Sequence, residues 1–112
     1  MRVGPRQLAM AISNQERVGK ALEQLKEGLA PFVHREFTNL YKTKALNEAN
    51  QFVSDPRQKT DRPFAEWDAA ALLKLMWDAW HSVFRQVLGQ AERTLISELR
   101  DVRNRWAHQK MF

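Results

Sequence analysis

The sequence contains no cysteine, and that excludes disulfides and thiolate metal sites. Glycine and proline are scarce, with four of each in 112 residues. No hairpin dipeptide such as Asn-Gly occurs, and no stretch alternates apolar and polar residues as a strand would. No apolar run approaches the ~20 residues needed to span a bilayer. The opening Met1-Arg2-Val3-Gly4-Pro5 leads into too few consecutive apolar residues for a signal peptide. There is no glycine-rich phosphate loop, no Gly-x-Ser-x-Gly elbow and no His-Glu-x-x-His. Nucleotide hydrolysis, acyl transfer and zinc chemistry of those types are therefore not expected, and neither is a metal or cofactor. The sequence reads as a soluble, cytoplasmic protein without a membrane segment.

What is present is material for one helical core. A chain of this length makes one domain rather than two. Hydrophobic residues make up 44% of it, among them four tryptophans and six phenylalanines, and this excludes a disordered tail. Lysine and arginine total 18 against 13 acids, a formal charge of +5 that favours phosphate-rich partners or acidic surfaces.

The apolar spacing is helical throughout. Ser13-Asn14-Gln15-Glu16 reads as a capping box that opens a first helix after a flexible segment, residues 1–12. Val18, Ala21, Leu22, Leu25 and Leu29 then fall on one face. Pro31 either ends this helix or starts the next, which carries Phe32, Val33, Phe37, Leu40 and Tyr41 and runs on less regularly through Ala45, Leu46 and Phe52. Residues 54–63, with two prolines among polar side chains, predict a loop. A third helix is expected from Asp68 to Leu88, with Gly89 as its stop. Its apolar residues cover more than half its circumference, so it is either central in the bundle or also buried by a second subunit. His81 falls on its polar side, and His34 reads as a surface residue. The fourth helix starts near Ala91. Leu95, Leu99, Val102 and Trp106 form its core stripe, with Arg100, Asn104 and His108 opposite and Arg103 between.

The end of that helix, Arg103-Asn104-Arg105-Trp106-Ala107-His108, collects the chemistry. Cleaving RNA requires removing a proton from a 2′-OH, accommodating charge on the phosphate and protonating the leaving 5′-oxygen. Histidine moves protons near neutral pH, arginine stabilises charge on phosphate oxygens, and asparagine orients either. On one regular helix, however, Arg103 and His108 diverge by ~140°. They meet only if the helix loosens or a second copy completes the site. The same residues equally describe a solvated helix end whose basic groups favour the macrodipole.

These residues resemble a family. Arg103-Asn104 followed by His108 is similar to the signature of HEPN domains. Residues 16–33, 71–80 and 97–108 resemble the opening, middle and closing blocks of the Swt-type subgroup. The resemblance implies an all-α bundle of four or five helices, a single HEPN-like domain over residues 1–112, and a homodimer with the motif lining an intersubunit cleft. In active members that cleft is a metal-independent endoribonuclease giving 2′,3′-cyclic phosphate ends. By position, Arg103 and His108 would be catalytic, Asn104 supporting, and the neighbouring Arg100 and Arg105 RNA-binding. Relatives continue beyond the equivalent of residue 112, often into an ATPase or other domain of a defence or toxin–antitoxin protein. This chain would then be a fragment of a longer polypeptide. The alternative function is a non-catalytic dimerisation and RNA-docking module.

Overall fold

The computed structural model describes the backbone of residues 4–109 and the side chains of residues 15–108. It is all-α, with four α-helices among the described residues: α1 (Gly4–Tyr41), α2 (Ala45–Gln51), α3 (Ala69–Asp78) and α4 (Gln90–Gln109). The expected four-to-five-helix bundle is present. No described helix is long and apolar enough to cross a membrane.

The first two expected helices are one. α1 runs 38 residues, straight through Pro31, and is already helical at Ser13. Ser13 therefore does not open it, and the side chain of that expected cap lies outside the described residues. A proline inside a helix costs about 3 kcal/mol through its lost hydrogen bond and ring clash. Here Ala30, Val33 and Phe37 around it are buried in the core, and that packing outweighs the local penalty. At ~1.5 Å per residue α1 is about as long as the molecule, whose extents are 60 × 30 × 21 Å. α1 ends where Lys42 adopts φ 57°, a left-handed conformation. Its ammonium donates back to the Asn39 carbonyl at 3.0 Å, supplying the C-terminal stop that no glycine provides.

The segment after α2 is more ordered than its prolines predict. The Asp55 carboxylate accepts from the Arg57 backbone N–H at 3.0 Å, and Pro56 starts a 3₁₀ turn, Pro56–Gln58. The Asn50 side chain ties the segment down. Its Oδ1 accepts from Thr60 N at 3.0 Å, and its Nδ2 donates to Thr60 O at 2.7 Å and to Leu46 O at 3.0 Å. Asp68 caps α3 by accepting from Ala71 N at 2.8 Å. Trp67, just before the cap, is buried with Leu72 in the same cluster, and its indole N–H donates to Arg62 O.

α3 is central in the bundle. Leu72, Leu73, Leu75, Met76 and Ala79 are buried by the chain itself, so the broad apolar arc needs no second subunit to cover it. The helix does not continue regularly to Leu88. It widens into a π-helical turn, Trp80–Phe84, where Arg85 N donates to Trp80 O at 2.8 Å. That turn keeps Trp80, Val83 and Phe84 inside, while Val87 beyond it is 50% exposed. Gly89 is not a left-handed stop, because no described glycine has positive φ. It precedes α4, and its N–H donates to Glu92 Oε1 at 3.1 Å, half of a capping box.

Candidate functional site

α4 packs on α3 and α1, and its inward arc differs from the stripe expected from hydropathy. Leu95 is 49% exposed, whereas Ile96 is buried. Arg93, Arg100 and Arg103 are half-buried on the Ile96 side. The inward arc is thus centred near Ile96 and Arg103, rotated by ~70° from the Leu95–Trp106 stripe. Arg100 accordingly leaves the wet face it was expected to share with Asn104 and His108. The cause is the half-buried Trp77 of α3. The Arg93 guanidinium lies 4.7 Å from its ring centroid and that of Arg100 6.0 Å. Arginine stems cover apolar surface while their charged heads meet the electron-rich indole face. Arg93 Nε is buried without an acceptor among the described residues, leaving the indoles of Trp77 and Trp80 as its neighbours.

The C-terminal end of α4 is held by Trp106. Its indole N–H donates to the Gln15 carbonyl of α1 at 3.0 Å. The ring can lie that close because the residue one turn on is Gly19, where a Cβ would stand 3.1 Å from Trp106 Cζ2. Trp106, expected in the core, is half-buried and acts as the clamp between the two longest helices.

This clamp divides the motif. Arg100, Arg103 and Asn104 line a groove of about 620 Å³ between α4, α3 and the segment after α2. Arg105 and His108 do not line it. Arg105 pairs with Asp101 at 3.4 Å on the outer face, and both are exposed, so the pair is weak and easily opened. His108 is also exposed. α4 remains helical through Gln109, so the ~140° between Arg103 and His108 is not closed by a loosened helix end.

Across the groove from Arg100 and Arg103 stands Arg62, which hydropathy and motif reading both passed over. Its signal was only a basic residue in a polar loop. No ion pair among the described residues engages these three arginines. The Lys74 ammonium, also in the groove, is held by Asp78 one turn on. His34 and His81 are exposed as expected, and neither lines this groove. The described residues contain no group of three His, Asp or Glu side chains able to hold a metal ion.

Comparison with curated proteins and with solved structures yields no match. The family described as Swt1-like HEPN matches residues 20–112, which includes Trp106, the groove and the whole Arg103–His108 motif. The chain belongs to the Swt1-like HEPN family.

Proposed function

We propose that this domain is a metal-independent endoribonuclease whose site is completed by a second copy of the chain. The observation that supports the reading is the spread of the motif around α4: Arg103 lines the groove, while His108, ~140° from it round a regular helix, is exposed outside the groove. A guanidinium and an imidazole so placed act on one phosphate only when they come from different subunits. A two-fold dimer would bring two arginines and two histidines to one cleft. Dimerisation is supported by apolar surface on α1 and α4. Val18, Leu22, Leu25 and Leu29 are only half-buried, and Leu95 is 49% exposed.

In such a cleft one imidazole takes the 2′-OH proton as the 2′-oxygen attacks phosphorus. The P–O5′ bond breaks, and the second imidazole, as imidazolium, protonates the leaving 5′-oxygen. Arg103 stabilises the extra charge on the phosphorane oxygens, and Asn104 holds a phosphate oxygen or orients its partner. Arg100 and Arg105 hold flanking phosphates. The products are a 2′,3′-cyclic phosphate and a 5′-hydroxyl. Incubating the purified protein with RNA in EDTA checks this: the wild type should cleave and His108→Ala should lose at least about a hundredfold in rate. Equal cleavage by both proteins refutes the assignment.

A second reading is a dimerisation and RNA-docking module. The groove favours it, since Arg62, Arg100 and Arg103 converge there without His108. RNA that is retained in a shift assay but never cut, even on long incubation, would select this reading. ATPase or other domains in the same polypeptide, and a defence or toxin–antitoxin setting, fit either reading.

A further inference from the structure

We infer that the groove between α4, α3 and the segment after α2 is a subsite for one unpaired nucleotide of a single-stranded RNA. The inference rests on the RNA-directed reading above and adds the form of RNA and the residues that hold it. The groove has three kinds of wall. On the α4 side Arg100, Arg103 and Asn104 present donors, two of them permanently charged and without a carboxylate partner among the described residues. Guanidinium groups one helical turn apart suit successive oxygens of a phosphodiester. The floor is apolar, from Val53, Phe52 and Leu75 to the buried ring of Trp67, and it suits the face of a base or a ribose. The far rim is polar and of mixed sign. Gln58, Thr60 and Glu66 offer acceptors and donors to a base edge, and Arg62 adds a third arginine. Of the other charged lining groups, Asp68 is engaged in capping α3, and Lys74 and Asp78 are paired with each other.

An anion, a flat apolar ring and a polar edge in that order describe a nucleotide. The volume, about 620 Å³, lies in the range of small-ligand sites. A duplex presents phosphates and stacked, paired bases and cannot lower one base to the floor. Single strands can, because their bases are free to splay.

The far rim is preorganised. Two Asn50 side-chain hydrogen bonds fix the segment at Thr60, and the Trp67 indole holds the Arg62 carbonyl at 3.0 Å. The Arg62 side chain is exposed and can be changed without breaking either tie. On the opposite wall Trp77 acts as a positioning residue, because its ring supports the Arg100 guanidinium at the groove.

The test uses a fluorescent ten-nucleotide RNA methylated at every 2′-oxygen, which cannot be cleaved through a 2′-hydroxyl. Binding is followed by anisotropy, single-stranded and annealed to its complement. The single strand should bind more tightly than the duplex. Arg62→Glu should weaken single-strand binding by about tenfold or more and Arg62→Ala should lower the salt slope by about one. Ala71→Trp, at an exposed lining position, should obstruct the groove without altering charge and weaken binding similarly. Arg85→Glu, an exposed cation outside the groove, should change binding by less than Arg62→Glu despite the same charge change. Unchanged binding by both Arg62→Glu and Ala71→Trp, or a preference for duplex, overturns the subsite. Binding that responds to the groove variants in a protein that cuts no RNA would leave the subsite standing and remove the nuclease reading. Cleavage by a protein whose groove variants bind normally would do the reverse.

Discussion

The same substitution, glycine to alanine, should have opposite effects at two positions of α1. Gly28 is exposed and a Cβ there meets nothing within 4 Å. Alanine is favoured over glycine inside a helix by about 1 kcal/mol, so Gly28→Ala should stabilise the domain by that amount and raise Tm by roughly 4 °C. At Gly19 the same gain is opposed by overlap with Trp106, whose Cζ2 would be 3.1 Å from the new Cβ. The indole cannot simply retreat, since its N–H is tied to Gln15 O. Overpacking of this kind costs about 1–3 kcal/mol, so Gly19→Ala should be neutral to about 2 kcal/mol destabilising. Urea unfolding followed by circular dichroism at 222 nm measures both. A double-mutant cycle isolates the cause: in a Trp106→Phe background, where the ring carbon in question is gone, Gly19→Ala should stabilise as Gly28→Ala does. If Gly19→Ala stabilises the native sequence as much as Gly28→Ala, the indole is not clamped against α1 and the placement of the motif at the end of α4 loses its anchor.

Asn50→Ala removes two hydrogen bonds that join α2 to Thr60 and a third to Leu46 within α2, and should cost about 2–3 kcal/mol by chemical denaturation. It should also speed hydrogen exchange at the Thr60 amide while sparing α1, because its effect is on the groove's rim. The Arg57 guanidinium and backbone N–H hold the exposed Asp55 carboxyl below its ordinary pKa of 3.8. A depressed folded-state carboxyl contributes stability above the unfolded value, and that contribution disappears as pH falls from 3.8 through the folded value. The carboxyl carbon of Asp55, titrated by NMR, should therefore show a lower midpoint in the native protein than in Arg57→Ala; identical midpoints would discard the pairing.

Helical class, the central greasy helix and the surface histidines were legible because each rests on periodicity. Leu72, Leu73, Leu75 and Met76 occupy a helix apolar nearly all round, and such a helix has to be covered. The boundaries were misread where tertiary packing overruled a local signal. Pro31 reads as a break, yet Val33 and Phe37 gain more by staying in register with α3 than the ring costs. Gly89 reads as a C-terminal stop, but the π-helical turn at Trp80–Phe84 has already ended the regular helix, leaving Gly89 to begin the next. Lys42 carries no sequence mark of a left-handed residue at all. Asn50 was invisible for a related reason: one asparagine pairing across ten residues has no periodic signature.

The site was half legible, and the illegible half is an error in the phase of one helix. Hydropathy assigns leucines inward and arginines outward, so Leu95 was placed in the core and Arg100 in water. In the fold Leu95 is 49% exposed, and Arg93, Arg100 and Arg103 turn toward α3. The reversal follows from Trp77, a residue of another helix whose indole rewards guanidinium as much as it would a leucine. The rotation of ~70° brings Arg100 and Arg103 to the groove and leaves the ~140° between Arg103 and His108 unchanged. In either phase Arg103 and His108 of one chain diverge by ~140° and would meet only through a loosened helix end or a second copy. Arg103 lines an intrachain groove and His108 is exposed outside it, on a helix that stays regular past both. Under the proposed nuclease reading, chemistry that uses the two groups together would lie between subunits, whereas contacts that use Arg100, Arg103 and Arg62 together would lie within one. The two sets of variants, His108 on the one hand and Arg62 on the other, would therefore separate the proposed cutting from the proposed holding.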